Sequence, residues 1–255
     1  MTPLWSGPAV ALVTLFNDDR GLAVDATAQH AARLIQAGVR AVLVCGSTGE
    51  AAALADEERV ALIRAVRRAC PDVPVVAGAS GAWWRHAAER ATTAAKAGAD
   101  AVLVAPPPGA ADLSEYFGRV VDAAGSAQVL AYHFPPNAGG PVPIEALTSL
   151  PVHGIKDSSG DPARLVGELE LEGWSGSTYV GAAMLTAYAA ALGAAGAILA
   201  AANLAPDDCV AAWDGDMTAQ RRLLSTHLTC RDRFPHGIKT AMAARFATPT
   251  TARLG

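Results

Sequence analysis

Aromatic residues make up only 5% of this 255-residue chain and charged residues 17%, while 51% is hydrophobic, so disorder through self-repulsion is excluded and a large core is affordable. Positive charge is not in excess: 20 Lys and Arg stand against 24 Asp and Glu, a net charge of −4, and no basic run carries interleaved aromatics. Nucleic acid and anionic lipid are therefore excluded as expected partners, and a small molecule is the default. The four cysteines form no close pair and the six histidines show no His-x-x-x-His spacing, which excludes a metal site and points to a reducing compartment. The opening Met1-Thr2-Pro3-Leu4-Trp5 lacks the basic start and apolar run of a secretion signal, so the cytoplasm is the expected location. Residues 182–206 carry no charge and are long enough to span a bilayer. Gly193 and Gly196 interrupt that run, no cationic cluster flanks it, and Asp207-Asp208 follow at once, so a buried helix, turn and buried strand are expected instead.

Short apolar or β-branched runs alternate with longer helical stretches along the whole chain. Strands are expected at 10–16, 39–44, 73–77, 101–105, 129–134, 154–156, 178–180 and 197–200. Helices are expected between them at 27–37, 56–69, 86–97, 113–123, 144–149, 162–171 and 185–192. Gly38, Gly98 and Gly193 mark helix stops, each followed by a strand. Eight such units in about 250 residues predict an α/β fold, the (β/α)8 TIM barrel. No linker or low-complexity segment divides the chain, so residues 1–255 read as one barrel domain with residues 207–255 as a C-terminal helical part.

Barrel chemistry sits at the C-terminal ends of strands, and three such ends are polar. The sixth ends in Gly154-Ile155-Lys156-Asp157, where desolvation disfavours the ammonium form and leaves an amine able to attack a carbonyl near neutral pH. The second ends in Gly46-Ser47-Thr48-Gly49-Glu50, whose backbone N–H groups and two hydroxyls suit a carboxylate. The fifth ends in Tyr132-His133, of which one faces the lumen; Tyr132 is chosen because a phenol moves a proton in a dry site without carrying charge. By the same alternation Asp157 points outward when Lys156 points in, as a helix-facing or loop-capping carboxylate, and His133 is structural.

These residues resemble the dihydrodipicolinate synthase and N-acetylneuraminate lyase superfamily of class I, pyruvate-type aldolases. Gly46-Ser47-Thr48-Gly49-Glu50 is similar to its carboxylate-binding loop, Tyr132 with Pro135 and Gly139 to its Tyr-x-x-Pro-x-x-x-Gly motif, and Gly154-Ile155-Lys156-Asp157 to its Schiff-base strand. Leu12-Val13-Thr14-Leu15-Phe16 and Ala202-Asn203-Leu204-Ala205-Pro206 match in the same order. The resemblance implies that Lys156 forms an imine with pyruvate or a related 2-oxo acid, that Ser47 and Thr48 hold its carboxylate, and that Tyr132 shuttles protons, with no cofactor. Gly181 and Ile198, at the ends of the seventh and eighth strands, would line the keto-acid pocket. Three departures bear on the second substrate. Pro136, Asn137 and Ala138 stand where the synthases carry an arginine; Ala105-Pro106-Pro107-Pro108 replaces a relay tyrosine; and Ala182-Ala183-Met184 replaces the acidic residues of sugar-acid lyases. A lyase acting on a 2-oxo acid with a less polar tail is the leading expectation. A synthase-type condensation with an aldehyde, or a binding protein without turnover, remains the alternative. A phosphate-binding barrel is disfavoured, because no glycine-rich turn and short helix follow the seventh strand. The C-terminal helical extension is expected to be shortened, and a homo-oligomer, tetramer or dimer, is expected.

Overall fold

A computed structural model describes residues 2–254. Its strands are β1 Gly7–Ala11, β2 Val42–Val44, β3 Val75–Gly78, β4 Ala101–Val104, β5 Gln128–His133, β6 Gly154–Asp157, β7 Ser177–Val180 and β8 Gly196–Leu199. Each pairs in parallel with the next, and β8 returns to β1, so the sheet closes in sequence order. Strands buried on both faces need no polar alternation, which is why they read as unbroken apolar runs. The helices on the outside are α1 Val24–Gln36, α2 Asp56–Ala69, α3 Trp84–Ala97, α4 Leu113–Ala124, α5 Pro162–Leu169 and α6 Thr186–Ala191, followed after β8 by α7 Pro206–Trp213, α8 Met217–Arg231 and α9 His236–Phe246. The expected (β/α)8 barrel is the fold observed.

Local chemistry sets the helix ends. The side chain of Asp161 accepts from the N–H groups of Ala163 and Arg164, with Pro162 at the first position of α5. Asp112 and Asp216 cap α4 and α8 in the same way. Helix α2 starts with Asp56, Glu57 and Glu58 and ends with Arg67 and Arg68, a charge order that complements its dipole. Gly98 stops α3 at φ 104°, a backbone that L side chains rarely adopt.

Two apolar layers follow from the pleat. Leu43, Val76, Leu103, Leu130, Tyr179 and Ile198 fill the lumen. Val42, Val75, Val102, Val129 and Ile155 face outward against Leu34, Leu62, Val66, Phe117 and Leu165 of the helices. Fully burying a side chain of this size contributes about 1.5–3 kcal/mol before entropy is counted.

Two sequence expectations shift, and that for the uncharged run 182–206 holds. The first strand was expected at 10–16, yet it is Gly7–Ala11, set by the pairings of Gly7 with Gly196 and Val10 with Leu199. Residues 12–16 form a buried loop whose N–H groups find side-chain acceptors: Val13 N donates to Asn203 Oδ1 at 3.1 Å and Leu15 N to Thr27 Oγ1 at 3.0 Å. A buried loop satisfied in this way is as apolar as a strand, and sequence pattern does not separate them. Between β5 and β6 only one 3-10 turn forms, Ile144–Ala146, where a helix at 144–149 was expected. The uncharged run 182–206 divides into α6, β8 and short turns, and among the described residues no helix is long and apolar enough to cross a membrane.

Candidate active site

Parallel pairing of β5 with β6 sets Tyr132 opposite Lys156, so the two side chains enter the lumen together near its C-terminal mouth. Lys156 Nζ lies 4.7 Å from the centroid of the Tyr132 ring, over its face. The chain has three lysines, Lys96, Lys156 and Lys239. Lys96 is exposed on α3, and Lys239 pairs with Glu50 in the interior. Lys156 is 5% exposed and enters no ion pair among the described residues. Burial without a compensating anion lowers its pKa to about 7, so a large fraction is the free amine at neutral pH.

Tyr132 is buried, and desolvation raises its pKa above the usual phenol value, while hydrogen bonds with the side chains of Ser158 and Ser47 pull the other way. It therefore remains a neutral proton donor and acceptor. Ser47 reaches it from a 3-10 turn, Ser47–Gly49, directly after β2. Thr48 is half-buried beside it. Within that turn Gly49 N donates to Gly46 O at 3.0 Å and Glu50 N to Ser47 O at 3.1 Å. The N–H groups of Ser47 and Thr48 precede those bonds and have no acceptor within the turn.

Gly181, one residue past β7, allows the close approach. A methyl group there would collide with Ser158 Oγ and come within 3.0 Å of Lys156 Cε. Ile198 is 1% exposed and belongs to the apolar filling of the lumen with Ala9, Leu43 and Tyr179. The lumen thus brings Lys156, Tyr132, Ser47 and Gly181 together around one space, with Thr48 next to Ser47 and Ile198 in the surrounding apolar wall.

The outward residues behave as alternation requires. Asp157 accepts from Ser159 N at 2.8 Å and Ser159 Oγ at 2.8 Å, capping the loop after β6, and its Oδ2 lies 3.6 Å from Arg164 Nε on α5. His133 Nδ1 accepts from Val142 N at 3.0 Å. Neither is a counter-ion for the amine. The loops after β4 and β5 lock together at the rim: Gly140 N donates to Pro106 O at 2.6 Å, and a side chain at Gly139 would strike the same carbonyl. Pro135, Pro136 and Asn137 are exposed there.

Sequence reasoning missed several supports. Ser158 bonds Tyr132 although it was read only as a turn residue. Thr14 Oγ1 donates to Gly49 O at 2.7 Å, and Asn203 Nδ2 to Ala11 O at 2.7 Å, so both matching segments outside the three strand ends brace the mouth. A polar residue inside an apolar run was the available signal for Thr14 and Asn203. A cavity of about 390 Å³ between α2 and α3, lined by Arg59, His86, Glu89 and Arg90, lies outside the lumen and holds neither Lys156 nor Tyr132. No cluster of three or more His, Cys, Asp or Glu among the described residues is placed to hold a metal ion.

Residues 5–245 match the model of the dihydrodipicolinate synthetase family. The chain is 33% identical to a 4-hydroxy-tetrahydrodipicolinate synthase of Natronomonas pharaonis, over 86% of this chain and 79% of that one. It is also 33% identical to an uncharacterized DapA-like lyase of Halobacterium salinarum, over 94% and 84%. Among solved structures, the dihydrodipicolinate synthase of Acinetobacter baumannii complexed with pyruvate superposes with a TM-score of 0.87 at 25% identity, covering 98% of this chain and 91% of that one. A prophage protein of the same family from E. coli K12, in complex with pyruvate, gives 0.84 at 27% identity, covering 98% and 92%. A family match over nearly the full length, together with relatives at this identity, establishes that the chain belongs to the dihydrodipicolinate synthetase family.

Proposed function

We propose that the protein is a lyase of the class I aldolase type that makes or breaks a carbon–carbon bond next to the carbonyl of pyruvate or a related 2-oxo acid. The observation that carries this reading is a buried amine with no counter-ion, poised to titrate near neutrality beside a neutral phenol. Lys156 Nζ attacks C2 of the keto acid, and a proton passes from that nitrogen to the former carbonyl oxygen to give a neutral carbinolamine. That hydroxyl leaves as water with a proton from Tyr132, and nitrogen's lone pair forms the C=N bond of a protonated imine. The iminium then accepts the electron pair released when the bond at C3 breaks, to a proton or to carbon, and the resulting enamine attacks or is reprotonated in the reverse sense.

Ser47 and Thr48 hold the carboxylate, Gly181 keeps clear the space in which the amine turns, and Ile198 contributes to an apolar wall that excludes water. Two relatives' structures hold pyruvate, which supports this substrate class. The relatives' names favour a synthase-type condensation with an aldehyde as the second reading. Against a charged aldehyde stand Pro136, Asn137 and Ala138, where the arginine of the resemblance is missing.

Borohydride reduction in the presence of pyruvate is the test. It should leave a stable adduct on Lys156, located by peptide mass spectrometry, and an adduct on Lys96 or Lys239, or none, would contradict the reading. A homo-oligomer is part of the proposal, supported by the exposed apolar side chains of Tyr188 and Leu192 at α6, and mass photometry reads it directly. A cytoplasmic setting is part of it too, supported by four free buried cysteines.

A further inference from the structure

The hydroxyl turn beside Tyr132 is bracketed by two non-glycine residues with left-handed backbone, Cys45 at φ 54° and Glu50 at φ 54°. Such conformations persist only where the surroundings over-determine them. At the first bracket, Gly78 lies so close that any side chain on it would collide with the Cys45 carbonyl. In the middle, Thr14 Oγ1 donates to Gly49 O at 2.7 Å. At the second bracket the carboxylate of Glu50 is held by distant parts of the chain.

Glu50 and Lys239 are each 0% exposed. Glu50 Oε1 accepts from Lys239 Nζ, and Oε2 accepts from Arg253 N at 2.8 Å and Leu254 N at 2.8 Å. Lys239 also donates to Thr251 O at 2.7 Å. The Arg253 guanidinium grips Glu58 of α2 with two bonds, at 2.6 and 2.7 Å, and donates to Ala53 O at 2.9 Å and Arg20 O at 2.9 Å. Both cations also lie over Phe16, with Lys239 Nζ and Arg253 Cζ each 4.4 Å from its ring centroid. The segment after α9 is thus fastened to the residues that immediately follow the hydroxyl turn, and to the loop after β1.

We infer that Glu50 is a positioning residue, and that Lys239 and residues 251–254 form a latch which sets the Ser47–Gly49 turn at the distance from Lys156 that a 2-oxo acid carboxylate requires. A buried ion pair is weak evidence for stability, because an apolar pair of similar volume does as well or better. What an apolar pair lacks is direction. Three donors converging on one carboxylate fix the backbone of Glu50, and through it Ser47, whose hydroxyl meets Tyr132. Contacts to a carboxylate that does not change during the reaction act equally on ground and transition states, so loosening them raises the half-saturating concentration and spares the chemical step.

The inference rests on the imine reading, so the experiment reads both. The fraction of Lys156 trapped by borohydride is measured against pyruvate concentration for the unaltered protein, for Glu50→Gln, for Arg253→Ala, and for Glu50→Gln combined with Lys239→Met. The expected result is a midpoint raised about 10- to 100-fold in each variant, with the same maximum extent of trapping. The double variant carries no unpaired buried charge, and Arg253 lies at the rim of the network, so a failure of Glu50→Gln to fold leaves two variants to decide the matter. Folded variants, by circular dichroism, whose midpoint equals that of the unaltered protein would overturn the latch while leaving the imine reading intact. Absence of trapping in the unaltered protein would overturn the imine reading and the latch with it.

Discussion

The tripeptide Gly-Ile-Lys occurs twice, at 154–156 and 237–239, and the two lysines meet opposite electrostatic conditions. Lys239 finds Glu50 and stays bonded, whereas Lys156 finds a phenol face and no carboxylate. Sequence alone made Lys156 legible, because a strand end followed by turn residues tells where its side chain goes. Lys239 was not legible, since its partner lies 189 positions away. Alternation along β6 likewise placed Asp157 on the outer face, where it caps Ser159. At this scale, Tyr132→Phe should slow turnover by about 10²–10⁴ with the fold unchanged, measured as kcat beside circular dichroism. Gly181→Ala should abolish borohydride trapping, since the added methyl takes the space of Ser158 and of the Lys156 side chain. Trapping of Gly181→Ala at the unaltered level would remove the assigned role of that close approach.

At the scale of elements, β6 and α5 form a unit with a polar seam behind the reactive strand. Arg164 on α5 donates to Val142 O at 2.8 Å and lies 2.9 Å from Glu168 Oε1, an ion-pair distance without hydrogen-bond alignment. Burial, with a further push from Asp157, raises the Glu168 pKa from 4.5 to about 8, outweighing the pull of Arg164. The folded chain therefore holds a proton on Glu168 that the unfolded chain releases, and this group's contribution to stability falls as pH rises from 4.5 to about 8. Glu168→Gln should flatten that decline, read as denaturant midpoints at pH 5 and pH 8; parallel pH trends in the two proteins would count against it. Asp161→Ala removes the cap of α5 and should cost about 1 kcal/mol in the same measurement. Helices with caps and apolar stripes were readable in the sequence. The buried loop at 12–16 and the segment after α9 were not, because their backbone groups are satisfied by partners remote in sequence and leave no periodic trace.

For the whole molecule, strict alternation of strand and helix was enough to expect the closed barrel, since each parallel pair needs a crossover and eight of them return to the start. Below the mouth the lumen is filled, with Trp5 stacked on Tyr179 at 4.2 Å, and Tyr179 stands in register with Lys156 across β6 and β7. That filling keeps water from the amine, so the reactivity of one nitrogen is a property of the entire cylinder. The most direct measurement is a carbon-13 NMR titration of ε-labelled lysine, in which the chain's three lysines give resolvable signals and the one lost in Lys156→Met is assigned. That signal should titrate at about 7. A Lys156 signal titrating at about 10.4 would contradict it.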